Sequence, residues 1–487
     1  MADKASSGIS GRVAGTGFAW IKRNARELAQ LSDDIWEYAE LGLHEYRSAK
    51  ALENFLQANG FEIESGVAGM PTAFAATWGS GKPVIGFLGE YDALPGVSQK
   101  TFPEREELVP GGSGHGCGHN LLGVAAAAAA VALKEELSHR GIEGTVKYYG
   151  CPAEENFSGK AFMARDGYFD GLDVCLTWHP GSMNIVRGGS SLAVKSMIVN
   201  FHGISSHAGG SPHLGRSALD AVEIMNVGAN YLREHIIEKA RIHYVTTNGG
   251  LQPNVVPAEA SVWYYVRAPR MGQLEEIYER VLKCAEGAAI MTETTFDVQV
   301  LEAIYEVLPN ETLQQVLRDA MEIAGPPEFG KDDLDFARKL ESTFPRRVEE
   351  IINEEELPEQ EKAKLRGKIL NDAVLGRPES VPESRGSTDV GEVSWCAPTE
   401  QFTTACVAMG TPGHSWQYTA QTGMGIGHQG MLAAARTLAQ AGLMLVCDEE
   451  SVRKAKEEFV RRTGGKAYKS ALPPDVMPAF DMFQAKQ

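Results

Sequence analysis

Two rhythms of apolar and polar positions divide this chain. From Phe18 to Ala58 the apolar residues recur at helical spacing among Ala, Leu, Glu and Lys. Beyond that, short apolar runs alternate with helical segments, which predicts an α/β layer. Four runs matter most. Pro83–Gly89 leads into Glu90-Tyr91-Asp92, and Thr145–Gly150 into Cys151-Pro152-Ala153-Glu154-Glu155. Asp173–Trp178 leads into His179, and Thr403–Met409 into Thr411-Pro412-Gly413-His414. In open α/β sheets the chemistry sits beyond the carboxyl ends of the strands. Four strands that end in acids or histidines therefore predict one shared crevice.

The middle third follows another pattern. Leu192–Gly203 alternates as a strand, and Ser217–Ile236 carries Leu219, Val222, Met225, Ala229, Leu232 and Ile236 at helical spacing. Ile242–Thr247 and Ala260–Arg267 predict strands, Met271–Ile290 a helix and Thr295–Val307 a last strand. Strand-helix-strand-strand-helix-strand is the ferredoxin-like order. Ligand-type residues resume after it, so it is expected to be an insertion. The expected divisions are a flexible N-terminus over 1–17, a first part of the α/β domain over 18–191, the inserted domain over 192–305, a second α/β part over 306–447 and a tail over 448–487. Within the second part, 309–375 is highly charged and reads as a solvated helical subdomain closing back onto the α/β layer.

Composition narrows the function classes. A net charge of -18 without a Lys/Arg stripe argues against a nucleic-acid partner. Seven cysteines are too few, and odd in number, for a disulfide framework, which suits a reducing compartment. The first residues lack the apolar stretch of a signal peptide, and Val124–Leu133 is too short to span a bilayer. These features predict a soluble cytoplasmic protein with no membrane partner.

Gly114-His115-Gly116-Cys117-Gly118-His119-Asn120 precedes an alanine-rich helix. A thiolate and an imidazole two residues apart suit zinc, manganese or a similar ion, although a turn with an incidental cysteine has the same spelling. Glu154-Glu155 can divide labour: one carboxylate holds metal while the other takes a proton from water. His179 and His414 supply further imidazoles, Glu90 and Asp92 form another acidic pair, and Asp92 is a natural outer partner for a ligand histidine.

The order of Glu90-Tyr91-Asp92-Ala93-Leu94-Pro95, His115–His119, Pro152–Glu155 and His202-Gly203-Ile204-Ser205-Ser206-His207-Ala208 resembles the aminoacylase and hippurate-hydrolase metallopeptidases, metallopeptidase family twenty. The likeness runs from about Leu31 to the tail. Thr177–Pro180, Tyr264–Arg270, Gly386–Gly391, Gly410–His414 and Pro473–Val476 point, within that family, to the group of B-type subunits of p-aminobenzoyl-glutamate hydrolase. The resemblance implies a metallopeptidase-type catalytic domain with one or two divalent ions, zinc or manganese, and a smaller lid domain that also dimerises. It implies Cys117, His119, Glu155, His179 and His414 as metal ligands and Glu154 as general base. It further implies His207 as a lid histidine that steadies the oxyanion in a neighbouring subunit's site, with Asn254 and Arg267 holding the substrate carboxylate. The implied substrate is an N-acyl or N-aroyl amino acid, p-aminobenzoyl-glutamate first. A dipeptidase or aminoacylase, a non-catalytic partner subunit, and dependence on a second related chain stay open. Glu90 stands where relatives often carry His or Asp, and Asn120 where they often carry Asp, so metal number and identity stay open too.

Overall fold

The computed structural model describes residues 13–381 and 386–480. Among the described residues ten strands form two sheets. The first has the order β1 (Glu62–Ser65), β2 (Phe74–Ser80), β4 (Gly144–Gly150), β3 (Val84–Gly89), β5 (Val174–Gly181), β10 (Thr399–Ala405). Its four strands from β4 to β10 run parallel. These are the four strands that the apolar runs foretold, and β3, with five of six residues buried, lies at their centre.

The alanine-rich helix His119–Arg140 is buried for most of its length. It packs on this sheet beside the helix Gly425–Cys447. Small side chains let its axis approach the strands: a Cβ on Gly123 would stand 2.6 Å from the Glu90 carbonyl oxygen. Gly118, at φ 81°, makes the left-handed turn that starts the helix and sets Cys117 and His119 on either side of the bend. Gly425–Cys447 is long and apolar enough to cross a membrane, but it is mostly buried against protein.

Two expectations need correction here. The fourth strand is Thr399–Ala405, because Cys406 and Val407 leave the ladder and both donate to the Gly181 carbonyl. His414 therefore arrives on a loop well past the strand, not at its end. The first helical stretch is three helices, Gly15–Arg23, Ala25–Tyr38 and Tyr46–Ala58, broken at Asn24 and at Ala39, whose φ is 43°. The expectation of a flexible start lies outside the described residues over 1–12, and Gly15–Gly17 are helical.

The second sheet has the order β7 (Arg241–Asn248), β8 (Glu259–Ala268), β6 (Ala193–His202), β9 (Thr295–Ile304), antiparallel throughout. Helices Ala218–Leu232 and Met271–Thr292 cover one face, which is the ferredoxin-like arrangement. β9 stops at Ile304, short of the expected Val307, because Val307 turns its N–H to Ser191 Oγ and its carbonyl to Ser190 Oγ. These bonds tie together the two chain segments that enter and leave the insertion. The uncovered face of this sheet, carrying Arg267, Tyr265 and Glu302, looks onto the crevice at the end of the first sheet.

Residues 309–375 close back onto the α/β layer. Their helices Lys331–Glu341, Val348–Glu354 and Glu359–Leu365 bury Ala337, Leu340, Val348, Ile352 and Leu365 against Met183, Ile185 and Met409.

Candidate metal centre

The ends of β3, β4 and β5 and the turn before the alanine-rich helix converge as the sequence suggests. Cys117, His119 and His179 bring one donor atom each within 4.8 Å of one another, and so do Cys117, Glu155 and His414. Cys117 is common to both triplets. Its sulfur lies 3.4 Å from His179 Nε2, and His414 Nε2 lies 3.5 Å from Glu155 Oε2. A third triplet joins Glu90, His119 and Glu154.

Each inner histidine is aimed by its other nitrogen. His119 Nδ1 donates to Asp92 Oδ1 at 2.7 Å, and His179 Nδ1 donates to the Pro180 carbonyl at 2.7 Å. Both therefore turn Nε2 toward Cys117, the usual outer-partner arrangement of a metal-bound imidazole. His119 Nε2 and Glu155 Oε1 are buried without a hydrogen-bond partner. Burial opposes charge on His119, yet Cys117 and Asp92 favour it enough to lift the imidazole well above its usual range. Burial likewise works against the charge on Asp92, but His119 and the Glu155 N–H hold its carboxyl low. The pocket is built to hold positive charge at Nε2, and thiolate, imidazole and carboxylate donors fit a divalent ion there.

The loop after β4 is pinned from two sides. Glu45, fully buried, accepts the Ala153 N–H at 2.7 Å, and Asp92 Oδ2 accepts the Glu155 N–H at 2.9 Å. Ala153 and Ser158 take left-handed conformations at φ 59° and 54°, bounding the turn that carries Glu154 and Glu155. Burial raises the Glu154 carboxyl well above the usual carboxylate range, and Glu90, Asp389 and Glu155 add to it. A carboxyl so placed binds a proton more readily than an ordinary carboxylate, the shift that a general base needs.

Lys160 is wholly buried between Glu90 and Asp389, at 2.6 and 2.5 Å. Sequence reasoning did not find it, since a lone lysine in Gly159–Arg165 has no pattern to betray it. Asn120, beside the ligand turn, is directed away from the cluster and donates to Ser32 and Thr422.

A cavity of about 910 Å³ opens on the cluster, lined by Cys117, Glu154, Glu155, His179 and His414 on one side and Tyr265, Arg267 and Glu302 on the other. Arg267 is thus brought to the ligands. His207 and Asn254 are not: they meet each other at an exposed corner of the second sheet, where the Ala208 N–H donates to the Asn254 carbonyl.

Comparison with known proteins settles the family. Residues 86–344 match Peptidase family M20/M25/M40. The chain is 42% identical to the B-type subunit of p-aminobenzoyl-glutamate hydrolase of Escherichia coli (strain K12), over 94% of its length and 97% of the relative's. The chain belongs to the M20/M25/M40 peptidases. It is 30% identical to Xaa-Arg dipeptidase of Mus musculus, with 90% of each chain covered. The crystal structure of aminobenzoyl-glutamate utilization protein from Klebsiella pneumoniae superposes with a TM-score of 0.58 at 19% identity, over 88% of this chain and 97% of that one.

As an M20/M25/M40 peptidase the chain is a metal-dependent hydrolase of amide bonds. A divalent ion in such a site polarises a carbonyl and lowers the pKa of water. What the chain itself supplies is a candidate donor set, in which Asp92 and the Pro180 carbonyl orient His119 and His179, and a buried carboxyl, Glu154, beside it. It also supplies a cation, Arg267, across the cavity.

Proposed function

We propose that this amide hydrolase cleaves N-acyl and N-aroyl amino acids, with p-aminobenzoyl-glutamate as the preferred substrate. One observation carries the reading: among the described residues the Arg267 side chain has no hydrogen-bond or ion-pair partner, its Nε is buried, and it shares the cavity with the candidate metal donors. An unpaired guanidinium in a wall otherwise rich in carboxylates calls for an anion, and a free α-carboxylate supplies it. The 42% identical relative, named for p-aminobenzoyl-glutamate, supports the acyl group.

In this reading Cys117, His119, Glu155, His179 and His414 hold one or two zinc or manganese ions, with Asp92 and Glu90 behind them. Glu154 takes a proton from the attacking water and returns it to the leaving amine. His207 donates to the oxyanion of a second copy. Its Nδ1 accepts the N–H groups of Gly209 and Gly210 at 3.1 and 2.9 Å, so Nε2 carries the proton and is free to donate. Around it Ile204, Leu214 and Leu251 are exposed, Leu251 at 99%, which suits a surface covered in a homodimer. Asn254 would act from the same corner. We place the division between the catalytic and lid parts at 192 and 305, and the protein in the cytoplasm, where its free cysteines are at home. Because the Escherichia coli relative is named a subunit, a second related chain is a natural partner to test.

The experiment is release of p-aminobenzoate and glutamate by the purified chain, beside metal analysis and a panel of N-acetyl amino acids and arginyl dipeptides. Turnover of p-aminobenzoyl-glutamate above the panel supports the reading. Bound metal with preferential cleavage of the dipeptides, or with no cleavage at all, overturns it.

A further inference from the structure

Glu302 stands on β9 in register with Ser196 of β6, on the face of the second sheet that walls the cavity. It is 8% exposed, and its Oε1 accepts the Ser158 hydroxyl at 2.6 Å, so the carboxyl is fixed against the end of the metal-bearing loop. None of the roles described above uses it. Its neighbours are of mixed sign. From β8 come Arg267 and Tyr265, from the catalytic loop Ser158, and from the start of the helix Val390–Cys396 comes Asp389, itself paired with Lys160. Ser196 is neutral and accepts from Trp263 Nε1, while Glu154 and Glu155 line the same cavity. Burial pushes the Glu302 carboxyl up to about 7, Asp389 adds to the rise, and Ser158, Arg267 and Tyr265 moderate it.

Arg267 and Glu302 are near enough to influence each other's charge but do not form an ion pair. A carboxylate drawn to Arg267 therefore enters the field of Glu302 as well. We propose that Glu302 determines how strongly the Arg267 wall holds a substrate carboxylate, admitting it when neutral and repelling it when ionised. The inference rests on the reading that Arg267 receives that carboxylate. It assigns Glu302 a part in specificity: below its titration the wall carries one net positive charge and favours anionic substrates, and above it that advantage is lost.

The test compares KM for an N-aroyl amino acid with KM for its α-carboxamide, from about pH 6 to about pH 8.5, in the metal-loaded enzyme. The ratio of the two removes any pH effect of the metal centre that both substrates share. In the wild type the carboxylate-to-carboxamide KM ratio should rise by at least about fivefold across the range, the effect of one unit charge on another a few ångströms away in a wet site. Glu302→Gln keeps an acceptor for Ser158 and cannot ionise, and its ratio should stay level. A level ratio in the wild type overturns the inference, and so does an equally steep one in Glu302→Gln. Arg267→Met tests the premise separately: it should raise KM for the carboxylate and not for the carboxamide. If it does so while Glu302→Gln leaves the wild-type slope in place, the carboxylate reading stands and the role of Glu302 falls. If Arg267→Met leaves both KM values unchanged, the carboxylate reading falls with it. The wild-type ratio by itself keeps the inference open to refutation should Glu302→Gln fail to fold.

Discussion

Replacing Lys160 with methionine would strip the ammonium shared by two buried carboxylates while leaving the space filled. Lys160 Nζ lies 2.6 Å from Glu90 Oε1 and 2.5 Å from Asp389 Oδ1, and its backbone N–H donates to Asp389 Oδ2 at 2.9 Å. All three side chains are almost wholly buried. Removing one partner of such a pair typically costs about 3–5 kcal/mol, because the charge left behind is desolvated and unpaired. Here one ammonium serves two carboxylates, so the upper part of that range applies. Unfolding entropy grows by about 2 cal/mol/K per residue, so a unit of several hundred residues loses roughly 1 °C of melting temperature per kcal/mol. The expected fall is therefore about 4–5 °C by calorimetry or circular dichroism. Lys160→Met/Asp389→Asn should recover part of it, because position 389 then leaves no buried charge and Glu90 still faces His119. A Lys160→Met protein that melts with the wild type would refute the reasoning, since the three groups could not then be an ionised cluster held by the lysine.

Asp92→Asn keeps the side-chain shape but loses the charge that orients His119, and should weaken metal affinity by about 10–100-fold in a chelator competition. Glu154→Gln should lower kcat by about 10²–10⁴-fold with metal content unchanged, and near-normal turnover would remove it as the base. His207→Ala should lower kcat by about 10²–10³-fold, and mixing it with Glu154→Gln should restore partial activity if His207 serves a neighbouring copy. Burial, relieved by the Asn310 and Gln401 N–H groups and the Gln314 amide, lifts Glu400 from 4.5 to about 7. The folded state then keeps a proton that the unfolded chain has lost. The stability Glu400 contributes is full below about pH 4.5 and is lost as pH rises through 7, a change of about 3 kcal/mol that Glu400→Gln should flatten in melting curves.

What was legible in the sequence, and what was not, divides along a physical line. β3, β4 and β5 announced themselves because a strand buried on both faces must be a continuous apolar run, and the acids and histidines that follow have nowhere to go but the crevice. The inserted sheet was readable for the complementary reason: alternate residues of β8, such as Tyr265 and Arg267 against Tyr264 and Val266, face different environments. β10 was misplaced because Cys406–Met409 is as apolar as the strand itself, and only its bonding to Gly181 and Ile369 shows that it has left the ladder. Lys160, Glu45 and Glu302 were illegible. Each is a charged residue in a place where charge is normally excluded, and each is tolerated because its partner comes from a distant segment: Asp389, Ala153 and Ser158 respectively. Periodicity records what a residue does to water, not what it meets across the fold. The same limit explains why the donor residues could be named while their division into two triplets about Cys117 could not. That division depends on which way His119 and His179 turn, and the turn is decided by Asp92 and the Pro180 carbonyl. Asp92 reaches both triplets, since Oδ1 accepts from His119 and Oδ2 from the Glu155 N–H. A loss at Asp92 should therefore disturb both, whereas the Pro180 carbonyl bears only on the one containing His179.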